Sequence, residues 1–242
     1  SKIIDIDDYL KGKPKILIMT KIDLCDLEET NKWIKYYENK VMKVVKVDLK
    51  NKKNINEVLQ ITEQYKKELD KKRLEKNMKP RKIRILITGI PNVGKSTLIN
   101  CLVNKKAVNV GNKPGVTKSL DWIRINDKIE LLDTPGILWP KFTEEKVAFN
   151  LASLTAIKEE VLPLTEVVIY ILKQLEKYYP DILKERYKID KVEDLDETLT
   201  TIGKNRGCLI KGGMVDYEKV YSLILNDVKN GNIKNITFDR YE

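Results

Sequence analysis

Residues 89 to 96 read Gly-Ile-Pro-Asn-Val-Gly-Lys-Ser, behind the apolar run Ile83–Ile87 and ahead of Leu98, Ile99, Leu102 and Val103. The stretch has the GxxxxGKS form of a phosphate-binding loop, and its flanks predict the strand and the helix between which such a loop works. A strand that stops at Gly89 and a helix that starts near Lys95 leave backbone N–H groups without intrachain partners, aimed where phosphate oxygens can accept them. Lys95 adds a point charge near the terminal phosphates, and the Ser96 hydroxyl is a Mg²⁺ ligand type. Asn92, Val93, Gly94, Lys95, Ser96 and Thr97 are therefore the candidate phosphate-binding residues.

Three more segments bear on which nucleotide binds and what becomes of it. Asp133-Thr134-Pro135-Gly136 closes a second apolar run, so Asp133 can enter the metal shell and the Gly136 N–H can meet a γ-phosphate. Thr117, in the polar loop between, suits a switch threonine that completes the metal site when the γ-phosphate is present. Ser96, Thr117 and Asp133 form the candidate Mg²⁺ set, and Lys95 and Thr117 the candidate catalytic pair. Thr20-Lys21-Ile22-Asp23 is close to the NKxD guanine-reading motif. There Asp23 accepts from N1 and N2 of guanine, the Lys21 stem lies over the base, and adenine cannot return the two bonds. An ordinary surface turn after a strand remains the alternative for that segment.

The chain has 242 residues, enough for a medium nucleotide-binding domain and a smaller one. Cys25, Cys101 and Cys208 lack metal-ligand spacing and fit a reducing compartment. No apolar run reaches the length of a membrane span and no signal-peptide pattern opens the chain, so a cytoplasmic protein is expected. The net charge of +10 is uneven: residues 1–140 hold 30 Lys and Arg against 18 Asp and Glu, and residues 141–242 hold 16 against 18. Its densest part runs from Lys66 to Arg84. Such a field attracts polyanions, nucleic acid first among them, although a solvated lysine-rich helix has the same composition.

Coarse periodicity predicts strands over 15–19, 41–47, 83–87, 120–125 and 128–132. Helices are expected from Asp26 to about Tyr37 and from Asn54 towards Pro80, each opened by a capping box with Glu29 or Glu57. Strands alternating with helices predict a doubly wound, mostly parallel α/β sheet over residues 1–142, followed by a helical domain over 143–242. In that domain Leu164, Val167, Val168, Ile171, Leu172 and Leu175 form a core stripe. Gly203, Gly207, Gly212 and Gly213 punctuate a loop before a helix at 215–228.

Thr20–Asp23 stands before the phosphate loop, whereas in the familiar arrangement of GTPases the base-reading motif comes after it. The chain thus resembles a circularly permuted P-loop GTPase, with the basic helix from Asn54 to Asn77 joining the old ends. The second base contact then falls at Asp48 and Leu49, where relatives usually carry Ser, and Thr20 stands where Asn is usual. The segments LASLTAIKEEVLPLTEVVIYIL, IGKNRGCLIKGGMVDYEKV and LILNDVKNGNIKNITFD extend the likeness to the ribosome-biogenesis GTPase A family, a bacterial group with mitochondrial relatives. The resemblance implies GTP and GDP as ligands, with hydrolysis coupled to docking on the large ribosomal subunit precursor and its rRNA, by a monomer with no membrane span. Asn92 matches the asparagine with which potassium-activated GTPases hold K⁺. Lys204, Arg206 and Lys211 are candidate RNA phosphate contacts.

Where many GTPases place a water-orienting Gln after DxxG, this chain has Ile137, and it contains no histidine. Hydrolysis is therefore expected to be slow alone and to need Lys95, Mg²⁺ and a group from a partner or a monovalent cation. Two other readings stay open. One is a nucleotide-dependent RNA-binding module with incidental hydrolysis. The other is a metabolic kinase, for which residues 136–166 offer no arginine. Relatives begin with a further strand and helix, the strand lying between the phosphate-loop strand and the one ending at Thr20. A gap there costs about 1–3 kcal/mol per buried unpaired backbone group. Roughly 40 to 60 residues upstream of Ser1 are thus expected.

Overall fold

The computed structural model describes residues 10, 12–40, 42–103, 121–133, 144–154, 156 and 162–241. In chain order the elements are β1 (Ile16–Met19), α1 (Leu27–Asn39), β2 (Lys43–Lys46), α2 (Ile55–Leu74), β3 (Ile83–Ile87) and α3 (Lys95–Val103). They continue with β4 (Asp121–Arg124), β5 (Ile129–Asp133), α4 (Glu145–Ser153), α5 (Leu164–Tyr178), α6 (Pro180–Tyr187), α7 (Leu195–Asn205) and α8 (Tyr217–Lys229). The described residues fall into two compact units. The first holds all five strands with α1–α3, and the second holds α4–α8 together with Leu24–Asp26.

The first unit is built on parallel pairing. β1 lies parallel to β2, with Ile16 opposite Lys43 and Met19 opposite Lys46, while β3 lies parallel to β5 and β5 antiparallel to β4. Among the described residues these are two sheets, ordered β1-β2 and β3-β5-β4, so β3 is an edge strand of its sheet. Val45, Val47, Ile55, Val58, Leu98, Ile99, Leu102 and Leu131 form the buried core, with Ile16, Ile18, Ile85 and Ile87 packed on it. α2 and α3 supply that core from residues three and four apart, which is why an otherwise charged helix such as α2 docks at all. Asn126 turns the β4–β5 hairpin by accepting the N–H groups of Lys128 and Ile129 at 2.8 and 2.9 Å.

Two expected features differ. Asn54 does not cap α2: its φ is 61° and its side chain makes no cap bond, donating instead to the Lys46 carbonyl at 2.9 Å. Left-handed backbone turns the amide away from the helix N-terminus and makes it a tie to the end of β2. α2 also stops at Leu74, short of Pro80, and Asn77 takes φ 54°, with the Met78 N–H returning to the Arg73 carbonyl at 2.8 Å. Asparagine tolerates that conformation, and it closes the helix before the proline can.

The second unit is a helical bundle. The predicted stripe is its core: Val167, Val168, Ile171, Leu172 and Leu175 of α5 pack with Leu183, Tyr187, Leu199, Ile202, Val220, Ile224 and Val228. Asp194 caps α7 by accepting from the Glu197 N–H at 2.9 Å, and Asp216 caps α8 by accepting from the Lys219 N–H at 3.2 Å. Leu24–Asp26 are held in this unit by the Ile236 N–H on the Leu24 carbonyl, at 3.2 Å, and by the Tyr179 hydroxyl on Asp26 Oδ2, at 3.0 Å. No helix among the described residues is long and apolar enough to cross a membrane.

Candidate functional site

The loop after β3 has the backbone its motif requires. Asn92 and Gly94 carry φ of 59° and 96°, and α3 begins immediately, its Leu98 N–H on the Gly94 carbonyl at 2.8 Å. A Cβ on Gly94 would stand 2.8 Å from Leu49 Cδ1, so glycine is needed there both for the positive φ and for the close approach. Lys95 folds back over the loop, its Nζ donating to the carbonyls of Gly89 and Ile90 at 3.0 Å each. The ammonium is thereby parked at the centre of the bend, on neutral acceptors that anionic phosphate oxygens can outcompete.

Segments far apart in sequence converge on this loop. The Thr20 hydroxyl, just past β1, donates to the Val93 carbonyl at 2.5 Å, tying the Thr20–Asp23 turn to the phosphate loop. Lys21 sits in left-handed backbone with φ 56°, which turns the chain sharply between Thr20 and Asp23. From the end of β2, Leu49 packs on Gly94, and the Leu49 carbonyl faces Cys101 Sγ of α3 at 4.0 Å. The Asp48 carboxylate accepts from the Asn51 N–H at 2.9 Å and from Asn51 Nδ2 at 2.7 Å. Those bonds, the Asn51 backbone N–H first, hold its pKa below the usual carboxylate value. Asp48 thus shapes its own turn.

Of the three candidate metal donors, two lie in described elements. Ser96 lies in the first turn of α3. The parallel register sets Asp133, the last residue of β5, opposite Ile87, the last residue of β3. A serine hydroxyl and an aspartate carboxylate are hard-oxygen donor types of the kind Mg²⁺ takes. Thr117, Gly136 and Ile137 lie outside the described residues. Sequence reasoning missed the role of Leu49 as packing for Gly94. The signal was the glycine itself, since a loop residue at positive φ invites close approach.

A family model described as a 50S ribosome-binding GTPase matches residues 84–210. A ribosome biogenesis GTPase A from Bacillus cereus is 42% identical over 238 residues, covering 98% of this chain and 80% of that protein. The chain belongs to the ribosome biogenesis GTPase A family. Its counterpart in Priestia megaterium is also 42% identical, over 97% of this chain and 82% of that protein. GDP-bound YlqF matches with a TM-score of 0.64 at 24% identity, covering 95% of this chain and 85% of that one. A GNP-bound YlqF structure from T. maritima gives 0.62 at 23% identity, covering 96% and 85%. At that identity the two structures speak for the mixed α/β fold alone, and the P-loop GTPase assignment rests on the family model. As a member of that family, the chain binds guanine nucleotide and hydrolyses GTP, and its biological setting is ribosome biogenesis.

The Thr20–Val93 bond yields a direct test. Thr20→Val keeps the branched shape but strands the Val93 carbonyl, a loss of about 1 kcal/mol in loop order. GTP affinity should fall about fivefold, and Thr20→Asn, whose amide can donate, should retain it. Calorimetric titration checks both, and a Thr20→Val protein that binds like the wild type removes the coupling.

Proposed function

We propose that this GTPase docks on the large ribosomal subunit precursor through rRNA and uses GTP hydrolysis to time its departure. The observation that carries the reading is the uneven charge, with 30 Lys and Arg against 18 Asp and Glu in residues 1–140, on a family described as 50S ribosome-binding. Part of that excess is internally neutralised: Lys66 pairs with Asp70, and Lys82 and Arg84 both meet Glu130. The exposed Lys67, Lys71, Lys72, Lys76 and Lys79 remain to face a polyanion.

In this reading Thr20, Lys21, Asp23, Asp48 and Leu49 contact the guanine, and residues Asn92 to Thr97 with Gly136 hold the phosphates. Ser96, Thr117 and Asp133 hold Mg²⁺, which when bound offsets charge on the β- and γ-phosphates. Lys95 stabilises charge developing on the leaving phosphates, and Thr117 senses the γ-phosphate. Asp23→Asn should lower GTP-over-ATP selectivity by about 100-fold, because the amide mismatches the guanine N–H groups. Unchanged selectivity in competition titration removes Asp23 from the base site. Asn92 is the proposed holder of K⁺. Replacing Na⁺ by K⁺ should raise turnover in the wild type and far less in Asn92→Ala, and equal stimulation of both refutes the role.

Sedimentation with ribosomal particles tests the docking: co-sedimentation with a non-hydrolysable GTP analogue and release in GDP are expected. Equal binding in both states, with turnover unaffected by particles, favours instead an RNA-binding module whose hydrolysis is incidental.

A further inference from the structure

Between α7 and α8 the chain builds a small hairpin whose base is anchored and whose tip is not. Cys208 is buried at the base, where its N–H meets the Gly203 carbonyl at 2.8 Å and its carbonyl accepts the Asp216 N–H at 2.9 Å. Gly203 is required for this seating, since a Cβ on it would collide with the Val215 side chain. Leu209 bridges to Val215, the Ile210 N–H meets the Met214 carbonyl at 2.9 Å, and Gly212 and Gly213 turn the tip with φ of 91° and 77°. The turn is a defined structure, not a loose loop.

Its apolar side chains point to water. Ile210 is 46% and Met214 63% exposed, the latter the most exposed large apolar residue among those described. Lys204, Arg206 and Lys211 are exposed around them, and residues 202–215 contain no acid, although the C-terminal half of the chain is slightly acidic overall. A rigid apolar tip ringed by cations is a poor surface for water and a poor one for another apolar protein face. Its chemistry suits unpaired nucleic acid, whose bases offer apolar faces and whose phosphates offer charge. Ile and Met are among the side chains that wedge between bases.

We propose that the 209–215 hairpin inserts Ile210 and Met214 against unpaired rRNA bases, while Lys204, Arg206 and Lys211 hold the flanking phosphates. The proposal rests on the reading that the chain docks on rRNA, and it adds the element, the chemistry and the single-stranded target.

The test uses the full chain with protein-free large-subunit rRNA as probe, across a salt series. Ile210→Ser with Met214→Ser should weaken binding about tenfold and leave the slope of log affinity against log salt unchanged. Lys204→Gln, Arg206→Gln and Lys211→Gln together should instead flatten that slope, by about 0.7 for each lost phosphate contact. Thermal melting and GTP turnover without RNA should stay at wild-type values in both. Wild-type rRNA binding with an unaffected Ser variant overturns the wedge alone. So does a Ser variant that loses particle binding while keeping naked rRNA, which would assign the tip to a ribosomal protein. A wild type that binds neither rRNA nor particles overturns the docking reading as well.

Discussion

Lys95→Ala is expected to weaken GTP and GDP binding at least about 100-fold while leaving the fold intact. Its ammonium now donates to two neutral carbonyls, Gly89 and Ile90, at 3.0 Å each. When phosphates arrive, those acceptors are exchanged for anionic ones, and a charge-assisted bond contributes about 1.5–3 kcal/mol against 0.5–1.5 for a neutral one. The remaining attraction of a point charge for a triphosphate brings the total near 3 kcal/mol, roughly a factor of 100. The loop does not depend on Lys95 for its path, because Leu49 packs on Gly94 and the Leu98 N–H closes on the Gly94 carbonyl. Lys95→Arg should rescue little, since a planar fork is too wide for the bend that a compact ammonium fills. Calorimetric titration with both nucleotides, beside a thermal melt, reads the two claims. Affinity within threefold of wild type would take Lys95 out of the phosphate site.

The parts of this molecule legible in the sequence are those where local chemistry and global position agree. Ile83–Ile87, the glycine loop and α3 were readable because each asks for the next: a buried strand, a bend with open N–H groups, a helix starting at Lys95. Thr20–Asp23 was readable as a motif but not as a contact. That the Thr20 hydroxyl reaches the Val93 carbonyl depends on parallel sheets bringing residues 73 positions apart to one end. Asn54 misled because a capping residue and a left-handed turn residue look alike in sequence, and packing at the end of β2 decided between them. The hairpin tip was missed for a different reason. Its glycines and cations were visible, but the exposure of Ile210 and Met214 follows from how Gly203 seats Val215 at the base, a tertiary fit that no periodicity encodes.

The largest stability effect should come from Asp227, far from the nucleotide motifs in sequence. Its side chain is 1% exposed, and its carboxylate accepts from Arg186 Nε at 2.9 Å, Tyr187 OH at 3.0 Å and Asn232 Nδ2 at 2.9 Å, with Arg186 Nη2 closing a fork. α6, α8 and the turn after α8 thus meet on one buried anion. Burial raises the Asp227 pKa, yet the bonds from Arg186 and Asn232 outweigh it and leave the carboxyl below its ordinary value. Asp227→Ala strands a guanidinium, a buried phenol and an amide at once. Breaking such a pair costs about 3–5 kcal/mol, and the lower end applies because Arg186, at 25% exposure, can turn partly to water. That corresponds to a Tm lower by about 10 °C. A depressed native pKa means that the folded state binds this proton less readily than the unfolded one. Its stabilisation is therefore complete above the unfolded value near 4 and is lost as pH falls through the native value. The wild type should lose stability as pH falls below about 4 more steeply than Asp227→Asn, whose amide cannot titrate. Denaturant unfolding of the three proteins across that range checks the sign, and parallel wild-type and Asp227→Asn profiles would remove Asp227 from the acid response.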